Sequence, residues 1–301
     1  MSQGKTWIED LIADLVLGAP ENRLDDFGGR PIFERPMVGV ADGDDNLFKT
    51  FSRVVSSKHL MPRQILKLHS GKSRNFKDVR VISWALPFTA EIRRSNRGRI
   101  WPSVLYSVAR NNGGALNFHL SRRLTQIMQK KGITAAAPVL LRKYDAFRDR
   151  VYVMSSTWSE RHVAYAAGLG RFGLNGSLIT PAGSHVRLGS VVVGYPFEAT
   201  RQDRKDYKSP CVKTHGEDCG ICIKRCPVKA ITGQGLDKRK CYERRQAIRE
   251  LLLEKYSRKY QLIPAPITQS GKKYLGYSLG CALCQCGVPC ERIDPYLRRK
   301  K

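Results

Sequence analysis

All nine cysteines of this 301-residue chain fall at or after position 211, and their spacing constrains the fold more than any other feature. An odd number of thiols argues against a disulfide framework, and the N-terminus lacks the basic-then-apolar layout of a signal peptide. The segment CVKTHGEDCGICIKRCPVKAI carries Cys211, then Cys219, Cys222 and Cys226 followed by Pro227. Cys241 comes next in GLDKRKCYERR, and GCALCQCGVPCERIDP adds Cys281, Cys284, Cys286 and Cys290.

A Cys-x2-Cys-x3-Cys-Pro run is the closing part of the bacterial double-cluster pattern, whose last cysteine serves the second of two iron–sulfur clusters. The first cysteine of that pattern would fall at position 216, which is Gly216. Cys211 can supply the missing ligand from a short loop. A cuboidal cluster needs four thiolates converging from different directions, and a tight Cys-x2-Cys loop provides adjacent corners. Zinc also uses Cys-x2-Cys pairs, but it explains neither the Cys-Pro step nor more than four ligands per site. Two 4Fe–4S clusters need eight ligands. Cys286 stands two residues from Cys284, an awkward separation for two corners, whereas Cys290 follows the stiff Val288-Pro289 step. The expected partition is Cys211, Cys219, Cys222 and Cys290 on one cluster. Cys226, Cys241, Cys281 and Cys284 would hold the other, with Cys286 spare.

The remainder reads as an α+β fold, a mixed α/β domain over residues 1–200 followed by a ferredoxin-like double 4Fe–4S domain over 201–301. An amphipathic helix with Trp7, Leu11 and Leu15 on its apolar face opens the chain. Residues 20–60 are turn-rich, with helical periodicity from Leu47 to Val55. DVRVISWALPF is a buried strand over 78–88. Leu116, Leu120, Leu124 and Met128 mark one face of a helix that Gly132 stops. Another strand is expected near Arg150–Met154. A short helix capped by Ser159 ends at Gly168, and two strands joined by a turn at Pro181–Gly183 follow. The charged stretch 201–210 is the best linker, and the basic tail LRRKK is expected to fray.

Gly168-Leu169-Gly170-Arg171-Phe172-Gly173 fits GxGxxG, but a dinucleotide site needs strand before glycines and helix after, and here the order is helix, glycines, strand. The glycines instead suit a positive-φ helix stop and close backbone approach. The histidines form no metal-binding pair, and Arg93, Arg94, Arg97 and Arg99 sit on a loop that could contact phosphates. No run approaches the roughly 18 apolar residues of a membrane span, so the chain is expected to be soluble and cytoplasmic. Its net charge of +27 is densest after residue 200. That charge suits negatively charged clusters, an acidic electron donor or a polyanion such as tRNA.

VISWALPF, ERHVAYAAGLGRFGLNGSLITPAGSHVRLGSVVVG and CGICIKRCPVKAITGQGLDKRKC with the later CALC together resemble the epoxyqueuosine reductases, and more distantly the reductive dehalogenases. The resemblance covers roughly residues 78–295. It implies an α/β corrinoid-binding domain ahead of a double-cluster domain, with Gly168, Gly170, Gly173 and Asn175 against a cofactor such as cobalamin. It also implies a reduced donor such as ferredoxin or flavodoxin, and tRNA as partner. No Asp-x-His-x-x-Gly occurs, in keeping with a family that binds cobalamin without a protein histidine. The family's proton-donating Asp corresponds to Met154, and its Asp-Tyr-His segment to Asn117-Phe118-His119. Tyr106, Tyr152 and His119 are the candidates to replace the lost acid. The alternative function is a non-enzymatic electron carrier or interaction protein whose N-terminal domain has lost the reductase acids; dehalogenase-like chemistry is a third. Substitution Cys286→Ser should leave about eight irons per chain; anaerobic iron analysis showing half of that would reassign Cys286 as a ligand.

Overall fold

The computed structural model describes residues 4–71, 75–150, 153–201, 207–208 and 211–295. Tyr152, most of the expected linker and the basic tail lie outside the described residues. The central element is an antiparallel sheet in the order Met37–Asp42, Arg80–Pro87, Val186–Val193, Ala135–Ala136. The strand Arg80–Pro87 is an almost continuous apolar run because both of its faces are covered. Ile82, Trp84 and Leu86 face the long helix Val104–Lys130 and the N-terminal helix Lys5–Leu17. Val81 faces the helices Asn46–Val54, Pro62–Ser70 and Glu160–Ala166 through Phe48, Phe51, Leu66 and Val163.

The N-terminal helix forms as its periodicity predicts, but Ile8, Ile12 and Val16 are the residues fully removed from solvent. Trp7, Leu11 and Leu15 are only partly buried against the same core. The long helix starts twelve residues ahead of the face Leu116–Met128. Its first half contains Asn111-Asn112-Gly113-Gly114, residues that ordinarily interrupt helices. Tertiary contacts reverse that preference. A Cβ on Gly113 would stand 2.6 Å from the Phe33 ring, and the asparagine amides bond outward to a distant segment. Ser159 occupies the expected N-cap position, yet its hydroxyl pairs with His162 Nδ1 at 2.8 Å instead of capping a backbone N–H.

Gly168 stops that helix with φ +75°, and a Cβ on Gly170 would lie 2.3 Å from the Ile179 carbonyl oxygen. Both glycines thus meet backbone demands. The strands after them do not form one hairpin: Leu178–Ile179 pairs with Arg171–Phe172, and Thr180 bridges Gly183 at the turn before Val186–Val193. A second sheet, ordered Lys272–Gly276, Ala265–Gln269, Ala146–Asp149, Val153–Ser156, joins segments from before and after residue 200.

Trp84 and Gly189 are cross-strand partners, and Trp84 Nε1 donates to Asn117 Oδ1 at 2.7 Å. A Cβ at Gly189 would come within 2.6 Å of the fully buried indole. Gly189→Ala is therefore expected to lower stability by about 1–3 kcal/mol, read as a lower urea midpoint with an unchanged slope.

Candidate functional site

The cysteine-bearing segments converge at the boundary between the first sheet and the helix Lys238–Tyr256. Cys211, Cys219, Cys222 and Cys290 line one small cavity of about 30 Å³, walled by apolar residues including Leu174, Ile179 and Val288. Burial pushes the Cys290 thiol up to about 12; a hydrogen bond from Ser184 opposes this, while the neighbouring Cys222 and Cys211 reinforce it. Burial likewise raises Cys222 to about 11, with Cys211 and Cys219 adding to the effect. A second group surrounds Cys284. Burial raises this thiol well above its ordinary value, and Cys281, Cys241, Cys226 and Cys222 act in the same direction. Each group has a sulfur that accepts a backbone N–H: Leu174 to Cys211 at 3.3 Å and Ala230 to Cys226 at 3.2 Å. Among the described residues, no three His, Cys, Asp or Glu side chains are gathered as a single-ion metal site.

Gly216, the position where the ferredoxin-type pattern wants a cysteine, has φ +82°. That left-handed conformation favours glycine over any residue with a Cβ. Cys286 belongs to neither group. It is fully buried, with Sγ 3.3 Å from His185 Nδ1 and 3.5 Å from Asn96 Nδ2.

Beside the second group lies an open chamber of about 380 Å³, bounded by Cys241, Cys281 and Cys284 on one side and Leu178, Val186 and Leu188 on another. A neighbouring chamber of about 340 Å³ shares Met154, Arg161, Lys238, Tyr242 and Arg245 with it. Met154 thus lines both chambers. Asn175 lies between the chamber and the first cysteine cavity. Its Nδ2 donates to the Cys284 carbonyl at 3.1 Å, and its Oδ1 accepts from the Ser177 N–H at 3.1 Å. Gly173 lines the cysteine cavity, whereas Gly168 and Gly170 border neither chamber.

The other acid candidates lie elsewhere. His119 pairs with Glu21 at 3.3 Å on the far side of the long helix, where Arg123 also binds Glu21. Tyr106 is fully buried beside His185, and burial raises its hydroxyl to about 12. Glu160 is lifted to about 7 by burial, against hydrogen bonds with Ser190 and Trp158, but borders neither chamber. Sequence reasoning missed the basic face of the helix Lys238–Tyr256. Lys238, Cys241, Tyr242, Arg245 and Arg249 recur at helical spacing and all face the chambers.

Matches to curated proteins bear on this arrangement. The chain resembles the epoxyqueuosine reductases. It is 41% identical to the epoxyqueuosine reductase of Staphylococcus aureus over 85 residues, which are 28% of this chain and 20% of that protein. It is 36% identical to that of Bacillus anthracis over 104 residues, 34% of this chain and 25% of the relative. The matches thus span about a fifth to a quarter of those relatives' length. No protein-family profile matches the chain. Among solved structures, an epoxyqueuosine reductase with an epoxyqueuosine-modified tRNA stem loop aligns with 79% of this chain and 57% of its own, at 19% identity and a TM-score of 0.41. A catabolic reductive dehalogenase with 3-bromo-4-hydroxybenzoic acid aligns with 98% of this chain and 37% of its own, at 12% identity and a TM-score of 0.49. Both scores are below the level at which a common fold follows.

His162, which lines the outer chamber, and His59 both pack edge-on against Phe51, and His59 also stacks on Trp158. Burial drives them down to about 4 and about 3, for His162 with help from Arg161. Each is neutral when folded and protonates more readily when unfolded. Their contribution is therefore complete above the ordinary value of 6.5 and is lost as pH falls from there toward 4. Urea titrations at pH 7 and pH 5 should show lower stability at pH 5, with a smaller difference in His59→Gln.

Proposed function

We propose that this chain is an iron–sulfur oxidoreductase of the epoxyqueuosine-reductase-like group, with two 4Fe–4S clusters passing electrons to a corrinoid such as cobalamin. The observation that carries this proposal is the separation of the thiols into two neighbouring groups. Cys211, Cys219, Cys222 and Cys290 would hold one cluster, and Cys226, Cys241, Cys281 and Cys284 the other. The donor set fits. Four thiols line one cavity, and backbone N–H donors to sulfur are the kind of second-shell contact that tunes a cluster. Cys222 of the first group acts electrostatically on Cys284 of the second, so the two groups are neighbours.

The chamber beside Cys241, Cys281 and Cys284 suits a flat ring carrying amide side chains. Leu178, Val186 and Leu188 offer an apolar wall, and Asn175, Ser177 and Gln285 offer polar contacts at its rim. When bound, a corrinoid supplies a strongly reducing cobalt centre, and the protein orients it. Asn175 braces the loop between cluster and ring. Met154 can pack against a ligand but cannot donate a proton. The substrate of this group would be a modified tRNA, whose phosphates the +27 charge favours; ferredoxin or flavodoxin would be the electron donor.

One observation favours the second function, an electron carrier or interaction protein. Among the described residues, no Asp or Glu lines either chamber. Anaerobic titration of the iron-loaded protein with cobalamin separates the two. A change in the visible spectrum is expected for the reductase, and an unchanged spectrum in protein that retains its iron supports the carrier. Cys211→Ser and Cys241→Ser should each remove about four irons; loss of all iron from both would instead mean a single shared site.

A further inference from the structure

The paired chambers carry a charge distribution that neither the clusters nor a corrinoid ring accounts for. Arg110 enters the inner chamber from the long helix, Arg161, Lys238 and Arg245 border both, and Arg249 borders the outer one. No carboxylate lines either chamber among the described residues. The carboxylate of Asp149 acts on Lys238 from outside the walls. Cations on such a surface repel one another. Burial and then Arg245 depress Arg161, and burial and then Arg110 depress both Arg245 and Arg187, the last to about 9. Arg161 and Arg245 are nonetheless both solvent-exposed on the cleft wall, so water screens this repulsion and both stay charged.

Part of this set is also incompletely bonded. The Nε atoms of Arg110 and Arg249 are buried and lack hydrogen-bond partners, as does that of Arg187, which borders neither chamber. Arg187 otherwise donates to the Arg110 carbonyl at 2.7 Å and to Ser278 Oγ at 3.2 Å. A buried guanidinium nitrogen without an acceptor is costly. A concave wall of one sign focuses its potential into the cleft, and guanidinium forks match the oxygens of a phosphate group.

We propose that the junction of the two chambers is a binding site for a small, multiply charged phosphate compound, held by Arg161, Arg245, Lys238 and Arg249. Compensation of the nearby cluster explains only part of the set. Arg245, Arg161 and Arg110 act on the Cys241 sulfur, but Arg249 stands two turns further along the helix and faces the outer chamber. The site shares Arg161, Lys238 and Arg245 with the chamber proposed for a corrinoid, so it is tested in protein free of cobalamin.

The test is calorimetric titration of anaerobically purified, iron-loaded protein with inorganic pyrophosphate at constant ionic strength. Saturable binding is expected. Arg245→Gln and Arg249→Gln should each weaken it by about tenfold or more, the effect of losing one charge-assisted contact. Arg94→Gln is the control, because Arg94 lines a separate surface groove beside Pro289; it should bind as the parent does. Absence of saturable binding in the parent overturns the proposal. Equal weakening by Arg94→Gln and Arg249→Gln also overturns it, since the attraction would then come from the overall charge. Iron content of the same samples reports on the clusters separately, and the cobalamin spectrum of Arg249→Gln, whose side chain borders only the outer chamber, reports on the proposed electron transfer.

Discussion

Four buried asparagines hold this structure's functional region together. Asn111 donates to the Ile263 carbonyl at 2.9 Å and accepts from the Ser278 N–H at 2.8 Å. Asn112 does the same with the Gln261 carbonyl and the Ile263 N–H, at 2.9 and 3.0 Å. Asn96 donates to the Cys281 carbonyl and Asn175 to that of Cys284, both at 3.1 Å. These amides stand in for sheet or helix partners that an irregular segment lacks, and an unpaired backbone group in their place would be expensive. They carry the C-terminal cysteines onto the first half of the molecule, beside Cys211–Cys241.

The same clamp decides what surrounds the thiols. With the C-terminal segment drawn against the long helix, the helix Lys238–Tyr256 turns its basic face toward the glycine-rich loop and leaves an open cleft between them. Leu174 and Asn175 of that loop touch one cysteine group each. The loop is therefore a short physical link between the two groups, and its Asn175 lines the inner chamber. Among the described residues no helix is long and apolar enough to cross a membrane.

Much of the N-terminal half was legible because its signals are local. The strand 80–87, the helix after Leu47 and the helix stop at Gly168 follow from apolar runs, periodicity and a glycine that must adopt positive φ. Where local signals conflicted with packing, packing prevailed. Asn111 to Gly114 read as a break, yet the helix runs through them because small residues admit Phe33 and amides find distant acceptors. The N-terminal helix likewise turned Ile8, Ile12 and Val16 inward, since an isolated helix does not specify which apolar stripe meets the sheet.

By itself, the sequence determined the inventory of chemistry: thiols confined to the last third, the Cys-Pro step, a glycine at 216, and a glycine-rich stretch from residue 168 to 173. Those are matters of residue identity and spacing, which the chain carries without folding. Spacing also pointed to Cys286 as the spare thiol and to Cys211 and Cys290 as partners; the tertiary structure added that Cys286 sits beside His185 and Asn96 and that Cys211 and Cys290 line one cavity. It also decided that cations from three separate helices face one another across a cleft that, among the described residues, no carboxylate lines. Such convergence depends on contacts between residues far apart in the chain, and neither periodicity nor spacing encodes them.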